Sequence, residues 1–109
     1  MSGSTNGKAI KVVATETAGT TIHTAVAGTS SLDEIWLWAN NTSDDEVILT
    51  IEWGGTSSPD DTIIGGVPAK SGLYAVIPGL VLQNELVVKA FASAENVVTI
   101  TGFVNRITA

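Results

Sequence analysis

The sequence has 109 residues and a mass of 11.2 kDa, with 44% hydrophobic residues, 15% charged residues and a net charge of −6. This length predicts one domain, and the absence of Cys excludes disulfides and thiolate chemistry. The five basic residues are dispersed, so no basic stripe is available to bind nucleic acid or an anionic membrane surface. Because charge is sparse beside many apolar residues, we expect a partner, most simply another copy, to cover part of the surface.

The N-terminal end divides into an arm and a first strand. Residues 1–7 are small, polar and glycine-containing, which predicts a flexible arm ahead of a single domain at 8–109. The start lacks an apolar run, so we expect no signal peptide and synthesis in the cytoplasm. The pattern of Lys8–Thr15 predicts a strand with Ile10 and Val12 inward, and with Lys8 and Lys11 on an exposed rim.

The next two predicted strands differ in the faces they present. Thr20–Ala27 is rich in β-branched residues and contains His23. Leu32–Asn40 is apolar on both faces, which predicts that both are covered. We expect Ile35, Leu37 and Ala39 to face the core, and Trp36 and Trp38 to face another subunit.

The fourth strand has the clearest alternation in the chain. The turn-forming sequence NNTSDD at 40–45 predicts a hairpin between the third and fourth strands. Glu46–Trp53 then alternates with period two, which places Glu52 on a mostly polar face. The core-facing set is Val47, Leu49, Ile51 and Trp53.

The second half of the chain continues the pattern of short strands and turns. Gly65-Gly66 weakens a short strand before Pro68, and Pro78-Gly79 predicts a type II turn. Asn84 is expected to break or bulge the apolar run of Leu80–Ala92. The remaining predicted strands are Thr62–Ile64, Leu73–Ile77 and Val97–Ile107. About eight short strands without a helical stripe predict an all-β, antiparallel, jelly-roll-like β-sandwich.

No constellation of residues indicates catalysis. His23 is the only histidine, and its near neighbours are Thr and Ile, so an ordinary strand position is favoured over a catalytic or metal-binding one. The acidic loops at 44–46 and 60–61 suit Ca²⁺ chemically, but their spacing is not that of an EF-hand, which favours solvated turns. Neither glycine pair precedes a helix or a Lys-Ser/Thr pair, so no phosphate loop is indicated. We predict a non-enzymatic protein without metal or cofactor.

Three linked phrases between Trp36 and Arg106 carry a family resemblance. They are LWANNTSDDEVILTIEWGGT, VPAKSGLYAVIPGLVLQNELVVKAFA and VVTITGFVNRI. Together they resemble small virion structural proteins of tailed bacteriophages, some of which look like capsid decoration or cement proteins. The resemblance implies a β-sandwich or jelly-roll module on the capsid exterior that binds the major capsid protein, often as a trimer.

The residues and the resemblance lead to one leading hypothesis and two alternatives. The leading hypothesis is a capsid decoration protein at the virion surface, with Lys8, Lys11, Trp36 and Trp38 at its interfaces. The first alternative is a tail or head–tail joint component. The second is a carbohydrate-binding module that stacks sugars on Trp36 and Trp38, although tryptophan is also enriched at protein interfaces.

Overall fold

The computed structural model describes residues 1–108, and within them the regular structure consists of eight β-strands. These form two four-stranded antiparallel sheets, which confirms the predicted all-β sandwich. The strands are β1 (Ile10–Lys11), β2 (Thr20–Thr24), β3 (Leu32–Asn41), β4 (Val47–Trp53), β5 (Thr62–Val67), β6 (Tyr74–Leu82), β7 (Val87–Ala92) and β8 (Val98–Ile107).

The strand order is that of a jelly roll. The first sheet has the order β1-β8-β3-β6, and the second sheet has the order β2-β7-β4-β5. The first strand therefore pairs with the eighth, the second with the seventh, the third with the sixth and the fourth with the fifth. Such a folded-over set of antiparallel pairs, divided between two sheets, is the arrangement of eight-stranded jelly rolls.

The core lies between the inner faces of the two sheets. Ile35, Leu37 and Ala39 of β3 are fully buried, as the alternation predicts. The predicted core face of β4 is confirmed for Val47, Leu49 and Ile51, whereas Trp53 at the strand end is half-buried and packs against the core.

The predicted hairpin between the third and fourth strands is wrong. β3 lies in the first sheet between β6 and β8, and β4 lies in the second sheet between β5 and β7. Both edges of each strand are already paired, so the turn at 42–46 crosses from one sheet to the other. Turn-forming residues indicate a reversal of the chain, but they do not indicate which sheet receives the next strand.

The predicted turn at Pro78-Gly79 is also wrong, because β6 runs through it from Tyr74 to Leu82. β6 is at the edge of the first sheet, where a proline without an N–H is tolerated. Its register against β3 shifts between Ile35 and Trp36, and Gly79 at this irregularity has a φ of +84°. Proline and glycine therefore form a bulge at an edge strand. The short strand predicted at Thr62–Ile64 is likewise longer than expected, because β5 continues through its glycine pair to Val67.

Candidate functional site

Three aromatic side chains meet on the outer face of the first sheet. Trp36 and Trp38 of β3 point away from the core, and Trp36 pairs across the ladder with Phe103 of β8. The Phe103 ring centroid lies 5.9 Å from each indole centroid, with interplanar angles of 13° to Trp36 and 29° to Trp38. Near-parallel aromatic pairs at this separation attract one another, so the three rings form one row.

Hydrogen bonds and backbone shape fix the Trp36 ring. Its Nε1–H donates to Glu34 Oε1 at 2.8 Å, and Asn105 Nδ2 donates to the same oxygen at 3.2 Å. These bonds lower the pKa of Glu34, the indole contribution being larger. A Cβ at Gly79 would lie only 2.7 Å from the ring of Trp36, so the glycine leaves the space that the indole occupies.

We call this surface the aromatic face and define it by Trp36, Trp38, Val81, Phe103 and Ile107. The two tryptophans are half-buried, while Val81, Phe103 and Ile107 are close to half exposed. Large apolar and aromatic side chains gathered on one surface are typical of a protein interface or a ligand-binding surface.

The structure brings together three of the four residues predicted at an interface. Lys11 pairs with Thr99 on β8, which in turn pairs with Asn40 on β3, so Lys11 lies at the β1 edge of the same outer face as Trp36 and Trp38. Lys8 is exposed and precedes β1, outside the sheet. Phe103 was not among the residues predicted at an interface. It follows from the alternation of β8, because its neighbour Val104 packs against the core and Phe103 therefore points outward.

The second sheet presents a different outer face, because the chain before β2 folds over it. Glu52 points outward from β4, on the face predicted to be mostly polar, and it is nevertheless fully buried. Its carboxylate accepts hydrogen bonds from the hydroxyl of Thr17 and from the backbone N–H of Gly19, the latter at 2.6 Å. The segment before β2 thus covers part of this sheet and satisfies the buried charge.

A buried polar network at one end of the sandwich links three strands. Asp33 of β3 is fully buried and accepts from Arg106 Nε at 2.8 Å and Arg106 Nη2 at 3.1 Å. The same carboxylate contacts His23 Nε2 at 2.8 Å and accepts from the backbone N–H of Val26 at 3.0 Å. The Arg106 hydrogen bonds are the main reason that the pKa of Asp33 is lowered to about 2, against the opposing effect of burial.

This network was not predicted from the sequence, because the near neighbours of His23 in the chain are Thr and Ile and its partner Asp33 is ten positions away. One signal was available: Asp33 is in phase with Ile35 and Leu37, which places an acid on the core face of β3. A buried carboxylate requires a partner, and the β3–β8 register sets Arg106 directly opposite Asp33.

The acidic loops do not converge. Asp44 forms an ion pair with Lys70 at 2.6 Å, and Asp61 accepts from the backbone N–H of Ser57 at 3.2 Å. Within residues 1–108, no three His, Asp or Glu side chains are close enough to hold a metal ion. Asp44 and Asp61 thus have separate partners and do not share a site.

An apolar cleft of about 210 Å³ opens at the side of the sandwich formed by edge strands β5 and β6. Its lining includes Ile63, Ile64, Tyr74 and Val76. Ile64 is 62% exposed. The lining carries no acid, base or nucleophile other than the phenol of Tyr74, so the cleft offers apolar contact area.

Comparison with protein-family models, curated proteins and solved structures finds no match. In the part of the chain that the structure describes, no helix is long and apolar enough to cross a membrane. The aromatic face and the resemblance carried by residues 36–106 are the two features that bear on function.

Proposed function

We propose that this chain is a non-enzymatic structural protein of a tailed-phage virion, which binds the outer surface of the capsid and reinforces it. The observation that carries the binding part of the proposal is the aromatic face. A row of three rings on a rigid sheet loses little side-chain entropy on binding, and aromatic anchors dominate the energy of many interfaces. The capsid as partner comes from the sequence resemblance alone.

The fold agrees with what the resemblance implies, a jelly-roll-like sandwich, but many unrelated functions share such folds. The low charge and the aromatic face provide more specific support, since interface centres are poor in charge and rich in aromatic residues. Lys11, at the edge of the same face, places a positive charge at the rim. Many copies on one shell would stabilise it even if each contact is modest.

The test mixes the purified chain with expanded and unexpanded shells of the phage that encodes it. We expect binding to one shell state over the other, and a trimer or other homo-oligomer of the free chain by native mass. Removal of residues 1–7 in a parallel sample measures the contribution of the arm. Equal binding to both shell states, or binding to neither, would refute the proposal.

Substitutions separate the aromatic face from the rest of the surface. The double variant Trp38→Ser/Phe103→Ser removes two of the three rings, and we expect binding to weaken by roughly tenfold or more. Ile64→Ser is the matched control, since Ile64 is 62% exposed on the second sheet. Unchanged binding by the double variant, or an equal loss in the control, would show that another surface makes the contact.

The aromatic row also favours a second candidate, a carbohydrate-binding module. Sugar rings stack on flat indole faces, and Glu34 and Asn105 beside Trp36 supply polar groups for hydroxyls. Titration with a panel of glycans, followed by tryptophan fluorescence, tests this candidate. Silence on a glycan array together with unchanged fluorescence would exclude it, whereas saturable quenching would favour it over capsid binding.

A further inference from the structure

Residues 2 and 3 lie along the free edge of β2. This strand is at the edge of the second sheet, so its outward backbone groups have no neighbouring strand. Gly3 N–H donates to the Ile22 carbonyl at 2.9 Å, and Thr24 N–H donates to Ser2 Oγ at 2.8 Å. The N-terminal segment thus occupies the groups through which β2 could pair with another strand.

A third contact fixes the tautomer of His23. The backbone N–H of Ser2 donates to His23 Nδ1 at 2.9 Å. Because a backbone N–H can only donate, Nδ1 must carry no proton. The ring proton is therefore on Nε2, which donates to Asp33 Oδ2 at 2.8 Å. His23 is only 5% exposed, so no water competes easily for either nitrogen.

The charged groups around the imidazole come from two strands. Asp33 of β3 contacts the ring directly, and Arg106 of β8 holds the far side of that carboxylate. The ladder partner on β7 is apolar Val88, and residues 1–4 carry no charged side chain, so the α-amino group of Met1 is the one charged group on that segment. In a protonated ring, Nε2–H would therefore face the Asp33 carboxylate and Nδ1–H would face the Ser2 backbone N–H.

We propose that His23 is a pH-sensitive latch for the N-terminal segment. Protonation turns Nδ1 from an acceptor into a donor. Two N–H donors, that of His23 and that of Ser2, then face each other, so the hydrogen bond is lost. The Nε2–H bond to Asp33 survives protonation, so the ring stays in place and the sandwich remains folded. Loss of this bond weakens the attachment of residues 2 and 3 to the edge of β2. This inference rests on the contacts alone and does not depend on the proposed function.

Amide hydrogen exchange in the full chain tests the latch. As the pH is lowered from about 8, we expect the protection factor of the Gly3 amide to fall roughly fivefold or more once the His23 ring takes up a proton. The fall should follow the titration of the His23 ring observed by NMR in the same sample. The amide of Leu37 in the core should keep its protection.

Two variants keep the test decisive. His23→Gln removes the imidazole, and Ser2→Pro removes both the N–H that donates to His23 and the hydroxyl that accepts from Thr24, so each should make Gly3 protection independent of pH. The inference is overturned if wild-type protection stays constant through the His23 titration, or if it falls equally in His23→Gln. It is also overturned if Leu37 loses protection together with Gly3, because the sandwich would then be unfolding.

Discussion

The fully buried carboxylate of Asp33 gives the most quantitative prediction for stability. It takes part in four hydrogen bonds, two of them from the Arg106 guanidinium. Chiefly because of the guanidinium, its pKa is lowered from 3.8 to about 2. A carboxyl group whose pKa is lower in the folded state stabilises that state whenever it is ionised.

The magnitude and sign follow from the two pKa values. The difference between 3.8 and about 2 corresponds to about 2 kcal/mol of stability. This contribution is fully present above 3.8, the value for the unfolded chain, and is lost as the pH falls toward about 2. Acid should therefore remove it between about pH 4 and about pH 2.

The variant Asp33→Asn preserves the shape of the side chain and removes its charge. Near neutral pH we expect it to be less stable than the wild type by about 2 to 4 kcal/mol, since its amide group also faces donors of Arg106 and His23. Urea unfolding followed by tryptophan fluorescence measures the difference at each pH.

The difference between the two proteins should narrow by about 2 kcal/mol from about pH 5 to about pH 2. Asp60→Asn, at an exposed loop carboxylate, serves as the control and should leave the acid dependence of the wild type unchanged. A wild-type to Asp33→Asn difference that stays constant over this range would refute the reasoning, because the ion pair would then contribute nothing that protonation removes.

Three further substitutions test packing and burial by the same urea assay. Glu52→Gln should cost about 1 to 3 kcal/mol, because its NH₂ group cannot accept the hydrogen bonds that the buried carboxylate accepts. Gly79→Ala should cost at least about 1 kcal/mol and alter tryptophan fluorescence, since the position has a φ of +84° and a Cβ would press on Trp36. Leu37→Ala should cost about 2 to 5 kcal/mol, the range for a fully buried leucine.

Surface positions provide the matched controls for these variants. Gly65→Ala places a Cβ where no atom lies within 4 Å, so it should change stability by less than about 0.5 kcal/mol. Ile64→Ala truncates an exposed side chain and should cost far less than Leu37→Ala. Equal effects in a variant and its control would contradict the packing described for that site.

The fold class could be predicted because it depends on local alternation. The core faces of β3 and β4 follow directly from the period of two, and so does the outward position of Trp36 and Trp38. The sheet assignment of β3 and β4 could not be predicted, because the same turn residues serve a hairpin and a crossing between sheets. The continuation of β6 through Pro78 could not be predicted either. A proline is tolerated there because β6 is at the edge of its sheet, and that position depends on the arrangement of the whole sheet.

Only part of the candidate site could be predicted, because alternation shows which face a side chain is on but not which side chains it contacts. Two of its aromatic rings follow from the alternation of β3, but their contact with Phe103 depends on the register between β3 and β8. Asp33 and Arg106 are 73 positions apart in the chain, so only the completed sheet places them together. Glu52 is buried by the segment before β2, and the alternation of residues along β4 does not predict that contact.

The copy number of the chain in purified virions tests the proposed function most directly. Quantitative mass spectrometry against the major capsid protein gives this number without any assumption about the binding face. Decoration predicts on the order of hundreds of copies per particle, because each repeated site of a symmetric shell binds one unit. About a dozen copies or fewer would contradict decoration and indicate a tail or head–tail joint component, where a single ring of subunits suffices.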